Sequence, residues 1–323
     1  MLFDIRHQTH YTYDTPVRES VMEVWVQPRQ GNGQRLTKFA LELDPAAQLF
    51  SYADFFGNAV YHFDVPQPHA SLTIESVASV ETTPSDHLPP RLDADEWGRL
   101  EAARASGRYF DYLRPHGFAV PTPRLSDFMA SHDLAAPAGP DPLSAARALS
   151  NRLYGAFEYE AGVTRADSPI DHALSEGRGV CQDFAHLMIA VCRIWSLPAR
   201  YVSGYLFNDR SAGDRSDPDA SHAWVDVFLP SLGWTGFDPT NDVIAGERHI
   251  VVATGRDYAD VPPTRGLFKG ETESEMNVAV SVRQASAAAV EPEFMRSARA
   301  VISSSGRRLP SAAALDQQLQ QQQ

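Results

Sequence analysis

A cysteine, a histidine and an aspartate occur in this sequence in an arrangement that suits nucleophilic catalysis. The run GRGVCQDFAHLMIAVCRIWSLPAR places Cys181 at the predicted start of a helix. The later run SHAWVDVFLPSLGWTGFDPTND carries His222 and Asp238 on the two predicted strands of a β-hairpin. A thiol, an imidazole that takes its proton and a carboxylate that orients the imidazole form a complete catalytic set. The sequence therefore predicts a cysteine nucleophile with a histidine base.

The predicted position of Cys181 at a helix N-terminus should activate its thiol. Unpaired amide N–H groups and the helix macrodipole favour an anion there, so the thiol pKa should fall. The same N–H groups could receive the oxyanion of a tetrahedral intermediate. The other cysteine, Cys192, lies eleven residues further along the same helix, roughly 16 Å away, which excludes a disulfide between the two. We expect Cys192 to be an inert core residue.

The catalytic interpretation requires one particular register of the hairpin. If Leu229 pairs with Gly233, Asp238 lies diagonal to His222 on the same face, ~7–8 Å away at the backbone. A shift of one residue would move Asp238 to the opposite face, and the set would fail. Asp226 shares the face of His222 but lies too far along the same strand for a direct bond. The hypothesis therefore predicts the pairing of Leu229 with Gly233.

Three further residues are candidates for contact with a substrate. Gln182 follows the nucleophile and Tyr159 lies on the approach to it, so each is a candidate oxyanion donor. Trp224 is a candidate wall of the substrate site, because an aromatic, water-poor tunnel would favour amines as acceptors. Other candidates for such a lining are Trp195, Tyr205 and Trp234. The spacing of these aromatic residues suits core packing better than a tunnel.

The spacing of the possible ligands does not favour a metal site. Cys181 and His186 are five residues apart on a helix and do not converge well, and no CxxC or HxxxH pair is present. The segment DRSAGDRSDPDAS contains four aspartates, but it lacks the glycine at the sixth position and the glutamate at the twelfth position of an EF-hand loop. We therefore expect no metal ion and no cofactor.

The whole chain predicts an α+β protein in four parts. Residues 1–86 contain short alternating runs rich in Val, Phe, Tyr and Thr, which predict an antiparallel β-sandwich. Residues 87–140 predict a helical connecting region broken by prolines. Residues 141–290 predict a catalytic core of helices packed on an antiparallel sheet, which HIVVATG and NVAVSVRQ could extend. Residues 291–323 predict a disordered Gln-rich tail.

Composition and charge narrow the classes of partner. The chain has 323 residues and a net charge of −13, which argues against nucleic-acid binding. No run approaches the ~18–20 apolar residues of a membrane span, and the N-terminal run MLFDIRHQTHYTYD does not read as a signal peptide. Two cysteines without a disulfide framework fit a reducing compartment. We therefore expect a cytoplasmic protein with no membrane or nucleic-acid partner.

Three blocks of the sequence resemble the bacterial transglutaminase-like superfamily, whose members share a papain-like core. The blocks are GRGVCQDFAHLMIAVCR, LPARYVSGYL and SHAWVDVFLPSLGWTGFDPTN. The run YADFFGNAVYHF looks like part of the β domain that precedes the core in these bacterial proteins. The resemblance implies that Cys181 is the nucleophile, His222 the base and Asp238 the orienting acid.

The resemblance also implies a class of reaction. Active members of the superfamily attack an amide carbonyl, release ammonia or an amine, and form a thioester. Transfer to water would make this protein a peptidase or amidase, and transfer to an amine would make it a protein-glutamine acyltransferase. In either case the substrate would be a peptide or protein that carries an amide. A third possibility is a non-enzymatic module in which the β domain binds a partner.

Overall fold

The N-terminal part of the protein is a sandwich of two antiparallel sheets. The computed structural model describes residues 1–31, 33–84, 88–93, 95–208, 213–217 and 219–285. The first six strands are β1 (Leu2–Val17), β2 (Glu19–Val24), β3 (Gln34–Asp44), β4 (Phe50–Ala53), β5 (Ala59–Val65) and β6 (His69–Thr82). Side chains along β6 alternate between buried and partly exposed, as a strand with one face in a core requires. The expected β-sandwich is therefore present.

Five α-helices follow within the described residues, and prolines begin two of them. The helices are α1 (Glu96–Ala105), α2 (Pro123–Ser131), α3 (Pro142–Ala156), α4 (Ile170–Glu176) and α5 (Cys181–Ile194), and a short 3-10 helix covers Phe110–Tyr112. Thr122 caps α2 by accepting the Leu125 N–H at 3.1 Å, and Asp141 caps α3 in the same way. Proline suits the first helical position because no acceptor is available there for an N–H group. The prolines that separate the predicted helical segments are therefore found at the first positions of α2 and α3.

Helix α5 packs against a five-stranded antiparallel sheet. The remaining strands are β7 (Glu158–Tyr159), β8 (Arg178–Gly179), β9 (Ala199–Leu206), β10 (His222–Leu229), β11 (Gly233–Asp238), β12 (Val243–Ile244), β13 (His249–Gly255), β14 (Thr264–Lys269) and β15 (Ser274–Gln284). The strand order in the core sheet is β12-β11-β10-β9-β13. Nearly every residue of α5 from Asp183 to Arg193 is buried, so the helix is central to the core. The expected α+β architecture of helices on an antiparallel sheet is confirmed.

The last two strands return to the N-terminal sandwich. Strand β14 pairs with β2 and β15 pairs with β1, which gives two four-stranded sheets of order β14-β2-β5-β4 and β15-β1-β6-β3. HIVVATG joins the core sheet as β13, as expected, but NVAVSVRQ lies in β15 and does not. The predicted core of residues 141–290 therefore includes two strands that belong to the sandwich. Alternation of apolar and polar residues identifies a strand without indicating its sheet. The predicted tail at 291–323 lies outside the described residues.

Two amide side chains of the sandwich complete the edge of the core sheet. Gln34 donates from Nε2 to the Val251 carbonyl at 2.9 Å and accepts the Val251 N–H at 2.8 Å. Asn58 donates to the Thr254 carbonyl at 2.9 Å and accepts the Thr254 N–H at 2.8 Å. Since β13 is an edge strand, each amide takes the place of a backbone group from a neighbouring strand. The sandwich is therefore joined to the core by directed hydrogen bonds.

None of the helices in the described parts of the chain is both long enough and apolar enough to cross a membrane.

Candidate active site

The first turn of α5 is built around a buried carboxylate. Asp183 accepts the Val180 N–H at 2.8 Å and the Thr164 hydroxyl at 2.6 Å. Gly179 leaves room for this carboxylate, because a Cβ at that position would lie 2.6 Å from Asp183 Oδ2. Gly177 adopts a left-handed conformation (φ 67°) where α4 ends, which a glycine does without strain. These residues bring the chain from α4 into α5 with Cys181 at the first helical position.

This geometry leaves backbone donors beside the thiol. The first intrahelical donors are the N–H groups of Asp183 and Phe184, which both bond the Val180 carbonyl, at 2.9 and 3.3 Å. The N–H groups of Cys181 and Gln182 precede them and so have no acceptor within the helix. Cys181 is half-buried and lies at the N-terminal, positive end of the helix dipole. The expected position of Cys181 at a helix N-terminus is confirmed.

The hairpin of β10 and β11 has the predicted register. Leu229 pairs with Gly233 and Val225 pairs with Phe237. His222 Nε2 lies 2.7 Å from Asp238 Oδ2, and both side chains are buried. The diagonal contact expected from this pairing is therefore present.

Asp226 has a different partner on the same strand. Its Oδ2 accepts from Arg200 at Nη2 (2.8 Å) and at Nε (3.0 Å). The Arg200 guanidinium lies 4.4 Å from the centre of the Trp234 ring. Asp226 therefore belongs to a separate ionic contact and does not compete for His222.

Asp238 is held as an anion by several donors. Its Oδ1 accepts the backbone N–H groups of Thr240 (3.1 Å) and Asn241 (3.3 Å), and its Oδ2 accepts the Asn241 side-chain amide at 2.7 Å. Burial alone would raise the pKa of Asp238, but His222 and His249 together lower it well below its usual range. The carboxylate is thus fixed both in charge and in orientation.

His249 is a second histidine in contact with the Asp238 carboxylate, and nothing in the sequence pattern indicated this contact. Its Nε2 lies 3.2 Å from Asp238 Oδ2, and its Nδ1 accepts the Gly246 N–H at 3.2 Å. This acceptor role at Nδ1 places the proton on Nε2, where it is donated to Asp238. Burial lowers the pKa of His249, although Asp238 opposes the effect. Its position at the start of a predicted strand gave no sign of this contact.

His222 has one ring nitrogen free for the thiol. Burial by itself would lower its pKa, but the charge and hydrogen bond of Asp238, together with Cys181, raise the pKa to about 10. Among the described residues, the buried Nδ1 has no hydrogen-bond partner. Asp238 occupies Nε2, so Nδ1 is the atom available to exchange a proton with Cys181. The three predicted residues therefore lie together in one site.

The ligand atoms of His222, Asp238 and His249 all lie within 4.8 Å of one another. A zinc ion in tetrahedral coordination would hold its ligand atoms roughly 3.3 Å apart. This separation exceeds the 2.7 Å between His222 Nε2 and Asp238 Oδ2. The geometry fits a hydrogen-bonded group better than a metal site.

The three further candidates occupy different positions around the thiol. Burial raises the pKa of Tyr159 to about 12, with a further contribution from nearby Cys181, and the Tyr159 hydroxyl accepts the Asp217 N–H at 3.3 Å. The Gln182 side chain donates to the Ala166 carbonyl at 2.8 Å, so its backbone N–H is the group left beside the thiol. Trp224 is only 1% exposed, and its ring centre lies 6.0 Å from that of His222. It packs beside the rings of His222 and His249 and does not form an open wall.

Comparisons with known proteins agree with this architecture. The family described as the bacterial transglutaminase-like N-terminal region matches residues 3–81, and the transglutaminase-like superfamily matches residues 132–239. The chain is 34% identical over 277 residues to the uncharacterized protein ML0607 of Mycobacterium leprae, covering 85% of this chain and 96% of that protein. It is 38% identical over 293 residues to the uncharacterized protein Rv2569c of Mycobacterium tuberculosis, covering 87% and 92%.

Two other proteins carry functional descriptions. A protein-glutamine gamma-glutamyltransferase of Pseudomonas aeruginosa is 35% identical over 124 residues, which cover 36% of this chain and 18% of that protein. The crystal structure of a proposed cysteine protease from Cytophaga hutchinsonii is similar, with a TM-score of 0.65 and 22% identity, over 88% of this chain and 92% of that one. The structural similarity extends through both the sandwich and the core.

Proposed function

The chain belongs to the bacterial transglutaminase-like superfamily, and on that premise we propose that it is a cysteine-dependent amide hydrolase. The observation that carries the proposal is the buried His222, which is bonded to Asp238 at 2.7 Å through Nε2, has no other partner at Nδ1 among the described residues, and lies close enough to Cys181 for the thiol to raise its pKa. The substrate is a peptide or protein that presents an amide.

The first half of the reaction forms a thioester. Nδ1 of His222 takes the thiol proton, and the Cys181 thiolate attacks the amide carbonyl carbon. The N–H groups of Cys181 and Gln182 stabilise the resulting oxyanion. The His222 imidazolium then protonates the amide nitrogen, the C–N bond breaks, and ammonia or an amine leaves.

The second half of the reaction releases the acyl group. His222 takes a proton from water as the water oxygen attacks the thioester carbonyl, and the proton returns to the Cys181 sulfur as the C–S bond breaks. Asp238 remains an anion throughout and stabilises each imidazolium state by holding the Nε2–H group. The products are a carboxylic acid and the regenerated thiol.

Water is the favoured acceptor because three of the four candidate aromatic residues are buried and the fourth, Trp234, packs its ring against Arg200. Trp224 and Tyr205 are only 1% and 2% exposed, and Trp195 donates its indole N–H to the Leu134 carbonyl at 2.9 Å. These residues therefore do not line an open, water-poor tunnel of the kind that favours an amine.

An acyltransferase activity is the second candidate, since part of the core is similar to a protein-glutamine gamma-glutamyltransferase. Both reactions release ammonia from a glutamine amide, but only transfer incorporates a primary amine. Incubation with a glutamine-containing protein and dansylcadaverine distinguishes them. Hydrolysis gives ammonia without fluorescence on the protein, and transfer gives both.

The test of the proposed nucleophile is the rate of alkylation by iodoacetamide as a function of pH. The protein contains its own control, because burial raises the pKa of Cys192 to about 12. Peptide mass spectrometry should show selective labelling of Cys181 at neutral pH, with a large loss of rate in His222→Ala. Equal reactivity of the two cysteines would refute an activated nucleophile and favour a binding module without catalysis.

A further inference from the structure

Strand β15 has one edge that is not covered by another strand. It pairs with β1 along its whole length, from Gln284 opposite Phe3 to Ser274 opposite Tyr13, without a break in register. It is the terminal strand of its sheet. On the outer edge, the described part of the chain makes one backbone hydrogen bond, in which the Val280 N–H donates to the Asp219 carbonyl at 3.0 Å.

That bond identifies which backbone groups point outward. In an antiparallel pair, the N–H and C=O of every second residue point away from the partner strand. Val280 points away from β1, so Val278 and Met276 do as well. The bonds from Asp14 N–H to the Glu273 carbonyl and from Ala285 N–H to the Leu2 carbonyl are consistent, because these odd-numbered residues face β1. Within the described ranges, the outward donors and acceptors of Met276 and Val278 therefore have no backbone partner.

The side chains of the same residues form a short apolar strip. Met276 is 53% exposed and Val278 is 43% exposed, whereas Val280 is buried against the core. Natural edge strands are usually protected by proline, lysine, bulges or short length. The run SEMNVAVSVRQ has neither a proline nor a lysine, and its pairing has no bulge. The edge is open to pairing with another extended chain.

The edge continues into the loop that borders the candidate active site. Asp219, which bonds Val280, lies three residues before His222. The same loop contains Asp217, whose N–H is donated to the hydroxyl of Tyr159. Tyr159 in turn lies close enough to Cys181 for the thiol to raise the pKa of the Tyr159 hydroxyl. A chain bound along β15 would therefore run toward the loop beside the thiol.

The charges around the edge indicate what kind of chain would bind. Five carboxylates lie on β15, in the segment before it or in the loop that bonds it, against one arginine on the strand, Arg283: Asp217, Asp219, Glu271, Glu273 and Glu275. Among the described residues, none of the five takes part in an ion pair. These charges favour an occupant with basic residues and disfavour an acidic one.

We propose that β15 binds an extended segment of the polypeptide substrate as an added strand, through the outward backbone groups of Met276 and Val278. The segment is apolar at alternate positions and carries basic flanking residues. This mode supplies affinity through backbone hydrogen bonds and selectivity through alternate side chains. The inference rests on the proposed function, because it assigns a docking surface to the substrate of that site.

The test measures binding separately from chemistry. The probe is the peptide KVTVQVK with an N-terminal fluorescein, and its anisotropy is followed with the full-length Cys181→Ala protein. In this background, Val278→Pro removes the outward N–H, which is compatible with the fold because proline is tolerated where an edge N–H faces solvent. Val278→Ala is the matched control, since it shortens the side chain and keeps the N–H. Circular dichroism and thermal melting check the fold, and Met276→Pro replaces Val278→Pro if the latter does not fold.

We expect Val278→Pro to weaken peptide binding by about tenfold or more and Val278→Ala by about threefold or less. An EVTVQVE peptide should bind more weakly than the basic probe. Equal affinity of the parent and Val278→Pro, or no binding to the parent, would overturn the proposal. A parent dimer that Val278→Pro converts to a monomer in sedimentation, without peptide binding, would also overturn it and identify a second copy as the occupant. Alkylation of Cys181 in an otherwise unchanged Val278→Pro protein tests the proposed function independently.

Discussion

The substitution Asp238→Asn tests the electrostatic basis of the candidate site. It keeps the size of the side chain and removes the charge that faces His222 Nε2 at 2.7 Å. The pKa of His222 is about 10, against an ordinary value of 6.5. Since one pKa unit corresponds to about 1.36 kcal/mol, this difference in pKa represents roughly 5 kcal/mol in favour of the protonated imidazolium form of His222. Because burial lowers the pKa and Asp238 is the largest contribution that raises it, the variant should have a His222 pKa well below that of the parent.

The assay is the pH dependence of Cys181 alkylation by iodoacetamide, followed by mass spectrometry. In the parent, His222 should stay protonated at neutral pH and lose its proton only as the pH approaches about 10. In Asp238→Asn, His222 should lose that proton at a lower pH, so alkylation at neutral pH should slow, and turnover of an amide substrate should fall by about 10²–10⁴-fold. Circular dichroism should remain unchanged. An unchanged pH profile, or full turnover, would show that Asp238 does not govern His222.

Three other substitutions test the surroundings of the site. His249→Phe keeps an aromatic ring but removes a donor from Asp238, so alkylation of Cys181 near neutral pH should slow by about tenfold. His249→Gln, the matched control, should retain most of the rate. Equal alkylation rates for the parent and His249→Phe would contradict this role of His249. Gln34→Ala leaves the Val251 N–H of β13 without a partner, whereas the Val251 carbonyl keeps the Arg29 N–H, so urea unfolding should show a loss of about 1–3 kcal/mol, and an unchanged midpoint would refute the docking role. Gly179→Ala places a methyl group against Asp183 and should lower the melting temperature by several degrees. Unchanged melting and alkylation in that variant would show that the first turn of α5 adapts freely.

The candidate triad could be predicted because local geometry determines it. Glycines before Cys181 and an apolar stripe after it identify the helix start, and a short loop between Leu229 and Gly233 fixes the hairpin. The period of two along a strand then decides whether Asp238 shares a face with His222. These features lie within a few residues of the groups that they position.

Features that depend on long-range contacts could not be predicted in the same way. Both β13 and β15 read as strands, but the sequence did not indicate that β15 pairs with β1 in the sandwich. His249 gave no sign of its contact with Asp238, because the contact depends on how β13 is aligned with β9. Trp224 was a candidate substrate wall although its spacing favoured core packing, and it is buried beside the two histidines. The periodicity of the sequence identifies a strand or helix, whereas its contacts in the fold determine which sheet or site it belongs to.

The β domain is also connected to the candidate active site through β13. His249 begins β13, and two residues later Val251 is bonded on both backbone groups by Gln34 of the sandwich. The sandwich therefore fixes the strand that carries a donor to Asp238, and Asp238 in turn orients His222. Because β14 and β15 complete the two sandwich sheets, removal of residues 1–86 would expose the edge of β13 and leave both strands without partners. A fragment limited to residues 141–290 should thus lose the orientation of the triad as well as stability.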